Sequence, residues 1–485
     1  MRSRRDFLKF SAVGISSLSL PSKLFAQESF SDYKALVVVY HAGGNDALNM
    51  FVPSGDDPKK GYPMYASIRE KIRVSNSNLP LNVTDGKLDL SSGNPYNING
   101  DLREAYLKGF YKHTGMDVAT NALMPEVAHL INEGKIAVLT NAGNLIAPST
   151  KAELKAKTKP LPPFLYAHNH QTKLVMNGEA GLLDYTGWAG RLFDAWQGVN
   201  GGDIYGMNIG IGGNEHLFYG KKTSPLIIRS SGPSSYFNIK REIYDTLMDI
   251  PMENKFQSFY QKLQTHSFSM QDTLVNDWKN APTFNSSNAY GGELFSSPSN
   301  EMLEQKSPVF ADISILRDLE AVAKLAKIGK DRGLKRQIFF VFDGGYDTHS
   351  NQTQQHARKL RGLSMGMGDF YQALEEMGME NEVTTLTVSD FGRSSGSNGD
   401  GTDHAWGGSY FVMGGAVKGG LYGTLPDLTL GSDDDMARKG RLIPTTSMSQ
   451  YYATLVKWFG ADDVMLSLLF PELENFTLRD LGFMK

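Results

Sequence analysis

The chain predicts an α/β fold: a mainly parallel sheet with helices on both faces, interrupted by loop-rich insertions. Three observations carry that prediction. Short runs rich in β-branched and aromatic residues recur along the chain. Most of them are apolar without alternation, as strands buried on both faces are. Helical patterns fall between them, and strand–helix alternation of this kind builds a parallel sheet sandwiched by helices.

In order, the strand-like runs are Leu36-Val37-Val38-Val39-Tyr40, Ile136-Ala137-Val138-Leu139-Thr140, 338–342, 384–388 and 409–413. The helical patterns occupy 124–133, 313–328, 353–377 and 449–459. Two regions break the alternation. Residues 54–118, rich in Asn, Ser, Gly and Asp, are expected to be a loop-heavy excursion. Residues 228–310, with tracts such as Asn285-Ser286-Ser287-Asn288, are expected to be an insertion or a lid connection. No tandem repeat is visible.

The N-terminus begins Ser3-Arg4-Arg5-Asp6-Phe7-Leu8-Lys9, followed by a mildly apolar stretch and Pro21. This is the pattern of a twin-arginine export signal over residues 1–27, with cleavage near Ala26, although Leu24 is not the small residue preferred there. Residues 28–485 then form a single α/β domain, expected outside the cytoplasm. No later run approaches the roughly 18 apolar residues of a membrane span. There are no cysteines, which excludes disulfides, cysteine metal ligands and cysteine nucleophiles. A net charge of −3 gives no nucleic-acid footprint.

In open parallel sheets, functional loops gather beyond the carboxyl ends of the strands, and polar clusters sit there in this chain. After the first strand comes His41-Ala42-Gly43-Gly44-Asn45-Asp46. Paired glycines permit a sharp turn and close approach, and Asp46 can ligate a cation or simply cap a turn. After the third comes Asp343-Gly344-Gly345-Tyr346-Asp347-Thr348-His349. Carboxylate plus imidazole suits zinc, manganese or iron better than calcium. His356, seven residues on, is as readily a surface residue. The fourth strand leads to Asp390 and Arg393, a carboxylate and a guanidinium that form either a salt bridge or a clamp on a phosphate or sulfate. Asp403-His404, flanked by glycines, precedes the fifth strand. Together these strand ends predict one shared divalent-metal site.

The motifs "GGNDALN", "TGWAGRLFDAW", "GGYDTHSNQ", "SDFGRSSGSNGDGTDHAWGG", "GGAVKGG" and "RLIPTTSMSQYYATLVKWFG" resemble a bacterial export family known as domain of unknown function fifteen-hundred-and-one. That family looks like a remote branch of the alkaline phosphatase and sulfatase superfamily. The resemblance implies metal ligands at Asp46, Asp347, His349, Asp390 and His404, with zinc or manganese bound. It also implies an anionic ester substrate, small or polymer-borne, and Arg393 on the anion. Two departures matter: Phe391 stands where a histidine is usual, and the Asp347-to-His349 spacing is short, so the resemblance implies one cation rather than two. The superfamily's nucleophile lies at a helix start near the second strand, where Ser149 and Thr150 stand, but Thr150-x-x-Glu153 is equally a capping box. In Ala167-His168-Asn169-His170, alanine replaces the expected hydroxyl and His170 a carboxylate, leaving His168 and His170 to bind metal or move protons. A hydrolase of phosphate or sulfate esters is the leading expectation. A non-catalytic metal-binding or accessory protein on the same fold is the alternative.

Overall fold

Strand β1 (Lys34–Ala42) sits mid-sheet, paired in parallel with β5 (Arg336–Gly344) and β6 (Val383–Ser389). The computed structural model describes residues 30–91, 102–213, 215–233, 241–251, 254–296 and 311–485. The export signal read at the N-terminus lies outside them. The remaining strands of the main sheet are β2 (Ile136–Gly143), β3 (Asn208–Ile211), β4 (Leu226–Ile228), β9 (Gly408–Met413), β10 (Gly420–Gly423) and β11 (Thr446–Ser447). They are ordered β10-β2-β9-β6-β1-β5-β3-β4, with β11 beside β2. A separate two-stranded ribbon joins β7 (Arg393–Ser397) to β8 (Thr402–His404).

Along β1, Ala35, Val37 and Val39 enter one core and Leu36, Val38 and Tyr40 the other. Both faces are dry, so the sequence shows no alternation. Four helices matter below: α1 (His168–Asn177), α2 (Ser314–Asp331), α3 (Gln352–Glu376) and α4 (Met448–Phe459). Residues of α2 and α3 build the first core, and residues of α1 and α4 the second. The expected α/β class is what the structure shows.

The fifth predicted strand, β9, runs antiparallel to both its neighbours. Its starting end therefore lies beside the carboxyl ends of the parallel strands. The loop entering β9 is thus delivered to the same edge as the loops leaving β1, β5 and β6.

The two irregular regions hold more structure than their composition suggests. Residues 54–118 include the helix Tyr62–Ile68, and strand Val118–Asn121 pairs antiparallel with both Phe51–Pro53 and Phe110–Lys112. Between β4 and α2 stand the helices Arg241–Met248 and Lys255–Lys279, the second 25 residues long. Its Gln, Ser and Thr residues dilute the apolar period that marks a helix in sequence.

Arg69, fully buried, fastens the first region to the sheet edge. It donates to Asp46 at 2.6 Å, to Asn49 Oδ1, and to the Ser394 and Ser395 carbonyls. Burial alone would raise the Asp46 carboxyl, but the guanidinium outweighs it and holds the group below its ordinary value. Removing one partner of such a pair costs about 3–5 kcal/mol, because the other charge is left buried. Arg69→Leu should lower unfolding free energy by about that amount in urea melts. Without the guanidinium, desolvation favours neutral Asp46, so the variant's stability should fall as pH rises through the raised carboxyl value. The wild type should lose this contribution only in strong acid. An Arg69→Leu melt matching wild type at pH 7 would refute the account.

Candidate metal centre

Three loops and one helix start converge at the sheet edge. β5 delivers Asp347 and His349, β8 ends on His404, and α1 begins with His168. His404 Nε2 lies 3.0 Å from His168 Nε2 and 2.8 Å from His349 Nε2. Asp347 Oδ1 is 3.1 Å from His349 Nε2 and 3.2 Å from His404 Nε2, and its Oδ2 is 3.5 Å from His168 Nε2. The donor atoms of His168, Asp347 and His404 all fall within 4.8 Å of one another.

The far side of each ring fixes what these nitrogens can do. His404 Nδ1 lies 2.9 Å from the Tyr166 carbonyl. A carbonyl only accepts, so Nδ1 carries the proton and neutral His404 turns a lone pair toward the cluster. His168 Nδ1 sits 2.6 Å from Asp390 Oδ2, the carboxylate–histidine arrangement that orients metal ligands. Lone pairs 3.0 Å apart repel unless a proton or a cation stands between them. Imidazoles with one carboxylate fit a divalent cation of the zinc or manganese kind. The hydrogen bond that His168 donates to Asp390 raises the His168 pKa, whereas burial and the neighbouring His168 lower that of His404. For Asp347, burial pushes upward but the bond from Arg393 prevails and holds the carboxyl down.

Two glycines shape the floor. Gly43, at φ +118, approaches the Asp347 backbone so closely that a Cβ would lie 2.4 Å from its nitrogen. At Gly44, φ +79, a Cβ would strike the Phe391 ring at 2.7 Å. That ring lies 4.7 Å from the His168 ring and 4.8 Å from the His404 ring. Phe391 thus closes the floor with apolar surface.

The structure brings Asp347, His349 and His404 together with His168. Other candidates lie elsewhere. Asp390 stands behind His168, its second oxygen taking bonds from the Tyr40 hydroxyl and the Gly43 N–H, so it supports the ring rather than facing the cluster. Asp46 is bound by Arg69 and Gln352 in the buried node. Arg393 is fully engaged: it donates to Asp347 at 2.7 Å, to the Gly43 and Thr402 carbonyls and to Thr402 Oγ1. It positions Asp347 instead of clamping a ligand. Thr150 forms the complete capping box with Glu153, which satisfies helix-end amides and accounts for its hydroxyl. His170 stacks on Phe164, ring centres 4.0 Å apart. His356 is wholly buried between Tyr106 and Asn45, its pKa pushed down to about 4 by desolvation; the surface position considered for it is wrong.

Three contributors escaped the sequence. Tyr40 looked like one more apolar strand residue, and Tyr166 acts through its carbonyl, which no side-chain pattern reveals. Arg441 sits beside the cluster, its Nε 3.0 Å from the His404 carbonyl and its guanidinium 4.2 Å from the Tyr166 ring centre. Its place after a long acidic loop carried no visible signal.

Fold and site define an α/β protein whose strand-end loops gather three histidines and an aspartate. Residues 330–458 match the family model described as "Protein of unknown function (DUF1501)". No curated protein matches. Among solved structures, one titled for glycosaminoglycan metabolism by Bacteroides thetaiotaomicron shares 10% identity over 90% of this chain and 74% of its own, with TM-score 0.33. The PsFucS1 sulfatase from Pseudoalteromonas sp. shares 11% over 93% and 73%, TM-score 0.28. Ps i-CgsB in complex with a neocarrahexaose shares 11% over 91% and 77%, TM-score 0.30. At that level no residue correspondence is transferred.

Elemental analysis should find a divalent metal in the wild type and little in His168→Ala, His404→Ala or Asp347→Asn. Asp390→Asn should bind about 10–100-fold more weakly, as support residues of metal-ligating histidines do. Thr150→Ala should keep its metal and lose only a helix cap, about 1 kcal/mol. Protons and cation compete for Nε2. Because Asp390 raises the His168 pKa, affinity should fall as pH drops through that raised value. Full metal content in both histidine variants would refute the site.

Proposed function

We propose that the protein is an exported, metal-dependent hydrolase of phosphate or sulfate esters, small or polymer-borne. The observation that supports this is the convergence of His168, His349, His404 and Asp347, with His168 and His404 each fixed at Nδ1. A divalent cation held there would polarise an ester oxygen and lower the pKa of water toward about 7.

The chain's own residues do the rest. Asp390 and Tyr166 hold the imidazoles in their ligating tautomers, Arg393 steadies Asp347, and Phe391 keeps water from the floor. Arg441 lies partly exposed beside the cluster, and its terminal nitrogens have no hydrogen-bond partner among the described residues. It is the guanidinium best placed to meet an anionic ester. α1 starts immediately after Ala167, whose side chain makes no cap. A hydroxyl there would have been both cap and nucleophile; the methyl group is neither.

A single displacement by water follows, and one displacement inverts configuration at phosphorus. A chiral phosphate ester should give the inverted product, and Arg441→Met should raise KM more than it lowers kcat. Retention would overturn the mechanism. No turnover of phosphate or sulfate esters by the metal-loaded protein would favour the alternative, a metal-binding accessory protein, which Ala167 specifically suits.

Export rests on the paired arginines at the N-terminus. Replacing Arg4 and Arg5 together with lysine should leave precursor in the cytoplasm, and undiminished periplasmic protein in fractionation would remove that part of the proposal. No described helix is long and apolar enough to cross a membrane.

A further inference from the structure

The two helices between β4 and α2 carry an apolar surface that the described residues leave open. On Lys255–Lys279, Phe256 is 85% exposed and Phe259 67%, with Tyr260 and Leu263 more than half exposed. These positions follow the i, i+3, i+4, i+7 spacing of a single helix face. Ile243, Leu247 and Ile250, on and just after the preceding helix, are each about half exposed. Gln261 ties the pair together through the Met248 and Ile250 carbonyls. Farther along the same helix, Phe268 and Leu274 are buried. Only its first half stands clear of the body.

We propose that this helical arm is the interface between two copies of this chain. Three aromatic side chains at these exposures present about 400 Å² of open apolar surface. That is about half of the ~800 Å² each partner contributes to a stable interface. The three residues of the first helix, Leu263 and a polar rim supply the remainder. Charge favours a second copy over another occupant. Exposed Glu242 and Asp249 belong to the first helix and its exit, whereas residues 255–271 contain no acid and expose Lys255 and Lys262. A two-fold axis that sets the first helix of one copy beside the second helix of the other pairs acid with base twice over. The arm is therefore complementary to itself, as an isologous contact requires.

Light scattering coupled to gel filtration should give twice the mass of one chain for the wild type. Phe259→Asp with Leu263→Asp should give the mass of one chain, with unchanged metal content and unfolding midpoint. Glu242→Lys with Asp249→Lys should weaken the dimer by making both helices basic. Adding Lys255→Glu and Lys262→Glu to that variant should restore it. A wild type that is monomeric throughout the concentration series would overturn the proposal. So would a dimer unaffected by the aspartate pair, or a monomer that instead binds phosphatidylcholine vesicles through the arm. The interface is independent of the metal site, so failure of either leaves the other standing.

Discussion

An imidazole can offer one nitrogen to a cation only while something else holds the proton on the other, and the sheet edge is organised around that constraint. Asp390 holds the Nδ1 side of His168, and the Tyr166 carbonyl holds that of His404. Asp390 is itself held by Tyr40, a β1 residue whose ring lies in the second core. The orientation of a ligand at the surface is thus set by a hydroxyl at the centre of the fold. Long-range packing and local chemistry meet in a single carboxylate.

Charge around the cluster divides into two layers. The inner cations, Arg69 and Arg393, are buried and consumed by carboxylates and carbonyls. Asp46 is wholly buried, so leaving it unpaired would cost more than the pair gains. Their task is to fix loops from opposite ends of the sequence: Arg69 joins the 54–118 region to β7, and Arg393 joins β7 to Asp347. Because the inner layer is spent on structure, a guanidinium with free donors stands only outside it, as Arg441 does among the described residues. Buried guanidinium groups supply rigidity, and exposed ones can still exchange water for a ligand.

The architecture was legible because burial on both faces leaves an apolar run whatever the topology. The direction of β9 was not: a run such as Tyr410-Phe411-Val412-Met413 reads identically in either direction. Asp347, His349 and His404, expected near one another from their positions at strand ends, do lie within hydrogen-bond distance. The errors share a cause. Asp46 and Asp390 were read as ligands because a sequence shows that a carboxylate exists and not what occupies its oxygens. The position of His356 was left open because helical spacing alone does not show that Tyr106 and Asn45 close over it. The long helix at 255–279 was hidden because the Gln, Ser and Thr residues between its apolar positions, and the polar tracts around it, read as an insertion.

Ala167 and Phe391 are two apolar neighbours of His168, and the structure gives them a common meaning. Each lies against His168, one before it at the start of α1 and the other beneath its ring. A hydroxyl at the first place would lie close to the cation donors, and an imidazole at the second would add a donor to the floor. Alanine and phenylalanine supply neither, so the donors around His168 are those of Asp347, His349 and His404. The Asp390–Tyr40 contact therefore orients a ring whose immediate surroundings are a methyl group and an aromatic face. That confines the chemistry of His168 to its Nε2, which faces His404 and Asp347.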